Sequence, residues 1–184
     1  MTNGFRVRII RIPLLQIVFV ALGLLPVFSG NSQAANPGFE TEQIVLYQPH
    51  DVLEERLADP AKLNEYIKRL RDVCTKFFAT ATTPETLDVV VAVRPPRQSR
   101  VWLVSSVQTK NDSKREALRR ELEKVKACDV KGGSIAFAIA GRIAGGDGKK
   151  RTDQPMPAEW QRAAKQKGSV VIPDGILDAI WGKR

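Results

Sequence analysis

The chain has 184 residues, 43% of them apolar, with 29 basic and 20 acidic side chains and a formal charge of +9. One histidine and two cysteines are too few for a zinc or other transition-metal site, which takes several such ligands. A nucleophilic triad would have to use His50, beside Pro49, and no serine lies in a nucleophile-elbow pattern.

The first eleven residues carry Arg6, Arg8 and Arg11 and no acid, residues 12–28 are almost wholly apolar, and Ser32-Gln33-Ala34 places small residues where a signal peptidase reads. This three-part pattern reads as a secretory signal over residues 1–34, cut after Ala34. The rival is an uncleaved membrane anchor, because about 17 apolar residues is the short edge of a spanning helix. No cysteine stands at the cut, which disfavours a lipoprotein. Cleavage leaves about 150 residues, enough for one core, and removing three arginines lowers the +9 charge to about +6. An exported chain rarely meets nucleic acid. Its charge therefore points to an envelope protein or an anionic envelope surface, or serves only to keep the chain soluble.

Residues 35–58 read as an N-terminal extension, loose as far as Thr41. Within it, residues 44–47 form a short edge strand ended by Pro49, and residues 51–57 a helical turn. Asp59-Pro60 supplies an N-cap and a first-turn proline. The helix that follows sets Leu63, Tyr66, Ile67, Leu70, Cys74, Phe77 and Phe78 on one side. Leu87, Val89, Val91 and Val93 then alternate with Asp88, Val90, Ala92 and Arg94, and a second alternating run covers residues 101–107. About six residues containing Pro95-Pro96 separate the two, which makes them an antiparallel hairpin.

Ser113 and Glu116 have the spacing of a capping box, ahead of a helix striped by Leu118, Leu122, Val125 and Cys128. Its opposite face carries Glu116, Arg119, Arg120, Glu123 and Lys124 as pairs of opposite sign. After Gly132-Gly133, large Ile135, Phe137 and Ile139 alternate with small Ala136, Ala138 and Ala140, a strand whose large face meets the helices. The glycine-rich run 145–151 lacks the glycine and hydroxyl of a phosphate cradle and reads as a flexible connector. A short helix over 157–164 carries Trp160. The tail beyond is an extended piece and a helical turn capped by Asp174, which folds back over the alanine face.

These readings make the fold α+β: a small antiparallel sheet in a helix-strand-strand-helix-strand core over 59–143, two helices on one face, and a linker and packed tail over 144–184. Cys74 and Cys128 both fall on helix stripes. In an oxidising compartment they are expected to pair, closing a loop worth about 4 kcal/mol in the chain-entropy model.

The order of elements, carried by Tyr66-Ile67-Lys68-Arg69-Leu70, Val89-Val90-Val91-Ala92-Val93, Val101-Trp102-Leu103-Val104, Ala117-Leu118-Arg119-Arg120 and Ile135-Ala136-Phe137-Ala138-Ile139, resembles the carboxy-terminal domain family of TonB and TolA over residues 62–143. The resemblance implies a periplasmic interaction module whose exposed strand edge accepts a partner strand. The sequence reading is thus a non-catalytic envelope module without cofactor or metal, binding through its sheet edge or through Arg94, Arg97 and Arg100 of the hairpin. The alternative is an enzyme or enzyme inhibitor acting on an anionic envelope polymer such as peptidoglycan, with acids brought together only by folding. Membrane contact is expected only through an uncleaved leader.

Overall fold

The computed structural model describes residues 38–106, 113–148, 154–167 and 173–181. The signal segment expected over 1–34, with its cut at Ala34, lies outside them. The described elements run β1 (Phe39–Leu46), α1 (His50–Arg56), α2 (Pro60–Phe77), β2 (Glu85–Arg94), β3 (Gln98–Ser105), α3 (Ser113–Glu123), β4 (Ile135–Ile143), α4 (Ala158–Lys167) and α5 (Pro173–Trp181). The fold is α+β around one antiparallel sheet of four strands in the order β1-β4-β2-β3.

That order dictates where the helices go. β1 and β2 run the same way with β4 between them, and β3 and β4 run the same way with β2 between them. Half a turn of the sheet about its normal exchanges the two crossovers, so the common hand of such connections sends both to one face. There Tyr66, Ile67, Leu70 and Cys74 of α2 and Leu118 and Leu122 of α3 close on Leu87, Val89, Val91, Ile135, Phe137 and Ile139. α2 begins as its sequence dictates, with the Asp59 carboxylate accepting the Ala61 N–H at 2.8 Å and Pro60 leading the first turn.

The opposite face of the sheet, built from Val90, Ala92, Ala136 and Ala138, is covered by Trp160 of α4 and by Ile176, Leu177, Ile180 and Trp181 of α5. Small side chains on β4 let these helices come close. Arg56 anchors the near end of α5, donating to both Asp174 carboxylate oxygens at 2.6 and 2.7 Å and to the Ser134 carbonyl at 2.7 Å. Asp174 therefore sits in the first turn of a nine-residue helix and holds a partner from α1.

Several boundaries differ from the sequence reading. β1 starts at Phe39, within the stretch expected to be loose, and pairs along β4, so it belongs to the sheet and not to a separate extension. The β1 register shifts between Thr41 and Gln43, and that bulge breaks the two-residue period by which a strand is recognised. The hairpin loop is shorter than expected, since Arg94 pairs with Gln98. α3 stops at Glu123, where Val125 N–H turns back to Leu122 O at 3.1 Å, although Ala127, Cys128 and Val130 remain buried beyond it. Glu116 reaches along the helix to Arg119, at 2.6 and 2.9 Å, and to Arg120. The start of the glycine-rich run is pinned: Gly146 N–H bonds Ile143 O at 3.0 Å, and Thr86 donates to Asp147 at 2.8 Å.

Gly141 marks the closest approach of β1 to β4. A Cβ there would stand 2.3 Å from Phe39 Cζ and 2.8 Å from the Glu40 carbonyl oxygen, and the second of these is backbone that cannot swing aside. Gly141→Ala is expected to cost about 1–3 kcal/mol, read as a lower urea midpoint at an unchanged m-value.

Candidate functional site

The two sheet edges are treated differently by the chain. Ser106 N–H bonds Thr86 O at 3.0 Å, and residues of the same parity on β3 face β2. Ser99, Val101, Leu103 and Ser105 therefore turn their main-chain groups outward. That edge is blunted: Glu123 of α3 accepts the outward Val101 N–H at 3.3 Å while it also holds Arg119 at 3.0 Å. A side chain from a covering helix is a standard defence of a strand edge.

Among the described residues β1 has no such cover. Tyr47 N–H bonds Ala136 O at 3.2 Å, so Val45 and Gln43 face β4, and Ile44 and Leu46 present N–H and C=O to the outside. No hydrogen-bond partner for those groups occurs among the described residues. Ile44 and Leu46 pack half-buried against the helical layer and Val45 against the tail layer, so apolar surface flanks the open edge on both sides. The inner side of β1 is secured to its end. Gln48 Oε1 accepts Ala136 N–H at 2.9 Å and Gln48 Nε2 donates to Ser134 O at 3.3 Å, continuing the ladder with a side chain.

The three hairpin arginines do not form one patch. Arg94 donates from Nε to Gln98 at 2.7 Å and lies 4.8 Å over the Trp181 ring. Arg97 turns to the other layer and forks onto Asp129, whose carboxyl it holds below the usual carboxylate range. Arg100 donates to Ile180 O at 3.1 Å and pairs with Glu159 at 3.7 Å. Each ties the hairpin to a neighbour, and Arg94 and Arg100 together fix the far end of α5. Arg94 and Arg97 do meet at one place, the rim of a cleft of about 550 Å³ whose other wall is Glu123, Lys124, Val125, Lys126 and Ala127, with Trp181 at one side. The two lysines escaped the sequence reading because they pass for the solvated face of α3.

Cys74 and Cys128 do not form the expected bridge; both are free, buried thiols. The helix expected to carry Cys128 ends five residues earlier, and Cys128 sits in the following loop. That loop meets α2 ahead of Cys74: Arg69 donates to Lys126 O at 3.1 Å, and Cys128 lies in the electrostatic reach of Tyr66 and Arg69. Both sulfurs belong to the same core without bonding to each other. His50 is exposed, 3.2 Å from Glu54 in the next turn. Among the described residues no group of three or more His, Cys, Asp or Glu side chains converges, and no helix is long and apolar enough to cross a membrane. Comparison with protein-family models, curated proteins and solved structures finds no match to this chain.

Proposed function

We propose that this protein is an exported, non-catalytic interaction module of the cell envelope that takes an extended segment of a partner protein onto β1. The observation carrying this reading is the asymmetry of the edges: β3 is blunted by Glu123, whereas β1 offers the main-chain groups of Ile44 and Leu46. An added strand satisfies those groups with main-chain hydrogen bonds, and the half-buried Ile44, Val45 and Leu46 supply side-chain selectivity. The order of α2, β2, β3, α3 and β4 is the order on which the TonB and TolA resemblance rests, and strand acceptance is what that resemblance implies. The signal-like pattern read over residues 1–34 supports export, and N-terminal sequencing of the exported protein is expected to begin at Ala35.

Ile44→Pro tests the edge. The Ile44 N–H points away from β4, so proline removes an outward donor without breaking the β1–β4 ladder. Val45→Lys adds an edge charge of the kind that discourages strand addition. Both variants are expected to keep the wild-type circular dichroism and to lose about tenfold or more in partner capture from envelope extract, the equivalent of one or two main-chain hydrogen bonds. Capture of the same partner at equal strength by both variants would remove β1 from the interaction.

A further inference from the structure

We infer that the cleft between the hairpin tip and the loop after α3 is a binding site for a small anionic ligand rich in hydroxyl groups, an acidic sugar in chemical class. The cleft is separate from the β1 edge. Its volume of about 550 Å³ lies in the range of small-molecule sites. Arg94, Arg97, Lys124 and Lys126 line it against a single carboxylate, Glu123, and that carboxylate is held by Arg119 and the Val101 N–H. Arg97 is matched by Asp129 and Lys124 by Glu121 at 2.6 Å. Arg94 and Lys126 have no ion-pair partner among the described residues, and they stand on opposite walls, one on the hairpin and one on the loop.

Arg94 is bonded through Nε to Gln98 and stacked over Trp181, and Lys126 lies in the field of Asp129. They are thus two cations outside any ion pair among the described residues, facing each other across a small cleft. Such a pair selects an oxyanion, which a guanidinium grips through its remaining N–H groups. Other parts of the lining ask for more than charge. The wall from Glu123 to Ala127 follows the C-terminal end of α3, the negative pole of its dipole, where bare anions are disfavoured and hydroxyl donors are welcome. Gln98 and Ser99 both donate and accept hydrogen bonds. A molecule with one acidic group and several hydroxyls satisfies this lining. A run of carboxylates, as in an acidic peptide, would set charge against the helix pole and Glu123.

The test is a titration followed by calorimetry and by amide chemical shifts, using the whole mature protein. The probes are glucuronate and glucose 6-phosphate, which separate a carboxylate from a phosphate head, with glucose, inorganic phosphate and tetraglutamate beside them. Saturable binding of at least one acidic sugar is expected, with shifts at Ser99 and Lys126, and tighter than glucose, phosphate or tetraglutamate. Arg94→Gln and Lys126→Gln should each weaken it about tenfold, one charge-assisted hydrogen bond apiece. Lys126 is exposed and its side chain has no hydrogen bond or ion pair among the described residues, so that variant stays informative if loss of the Arg94–Trp181 stacking disturbs α5. Equal affinity for phosphate alone, tighter binding of tetraglutamate, no saturable binding of either acidic sugar, or wild-type affinity in the Lys126 variant overturns the proposal. Ile44→Pro should bind the sugar unchanged, so this site and the β1 edge fail or stand independently.

Discussion

Trp160→Ala is expected to destabilise the protein by about 3–5 kcal/mol, the range for truncating a large buried aromatic side chain. Trp160 is fully buried, edge-on to Tyr47 at 5.3 Å and to Trp102 at 5.2 Å. Its ring joins α4 to Tyr47, the residue after β1, and to Trp102 of β3, so a cavity there reaches both edges of the sheet. Two polar ties depend on the same packing: Tyr47 OH donates to Pro155 O, and Trp102 Nε1 donates to Glu159 at 2.7 Å. The α4–α5 layer should therefore loosen before the α2–α3 layer, visible as faster amide exchange in α4 and α5 than in α2. Trp160→Phe separates packing from polarity. The indole N–H has no partner among the described residues, so phenylalanine removes a buried unpaired donor while keeping most of the ring contacts. Its cost should stay under about 1.5 kcal/mol. If alanine and phenylalanine cost the same, the ring is not the joint between layers.

The parts of this fold that were legible are those whose local pattern agrees with their tertiary setting. Leu63 to Cys74 repeats with the helical period because one side of α2 meets the sheet. The large and small residues of β4 alternate because one face meets α2 and α3 while the other must admit Trp160. β1 was only half legible, since the bulge near Glu42 shifts its faces within eight residues. The loop after α3 misled in the opposite direction: Val125 and Cys128 keep helical spacing after the helix has ended, because the loop is buried against the same core. The candidate sites were less legible still. Edge exposure is a property of strand order, and the order β1-β4-β2-β3 is set by pairings far apart in the chain. The hairpin arginines are visible in the sequence as charges, but their partners Asp129, Ile180 and Trp181 are distant along the chain, so what reads as one basic hairpin is three ties and one cleft.

The state of the cysteines is a consequence of that loop, and it predicts a large kinetic effect. Denatured, unreduced protein is expected to yield two titratable thiols, and native protein almost none on the same time scale. Cys74 is fully buried and Cys128 nearly so, and burial pushes their thiols up to about 12 and about 11. Only the thiolate reacts, so at neutral pH the reactive fraction of Cys74 is lower than that of an exposed thiol by roughly a thousandfold, before any steric protection. An oxidising compartment would not change this, because a disulfide needs the two sulfurs at bonding distance and the fold leaves both cysteines free. The same shifts fix a pH dependence. Below about pH 9 both folded and unfolded thiols keep their protons and contribute no slope. Above it the unfolded chain loses protons that the folded chain retains, so stability falls as pH rises toward 11 and 12. Replacing both cysteines with alanine should flatten that alkaline limb relative to the wild type. Finding no thiols in the denatured, unreduced protein would mean that a bridge does form, and that the loop after α3 runs alongside Cys74 and not alongside Arg69.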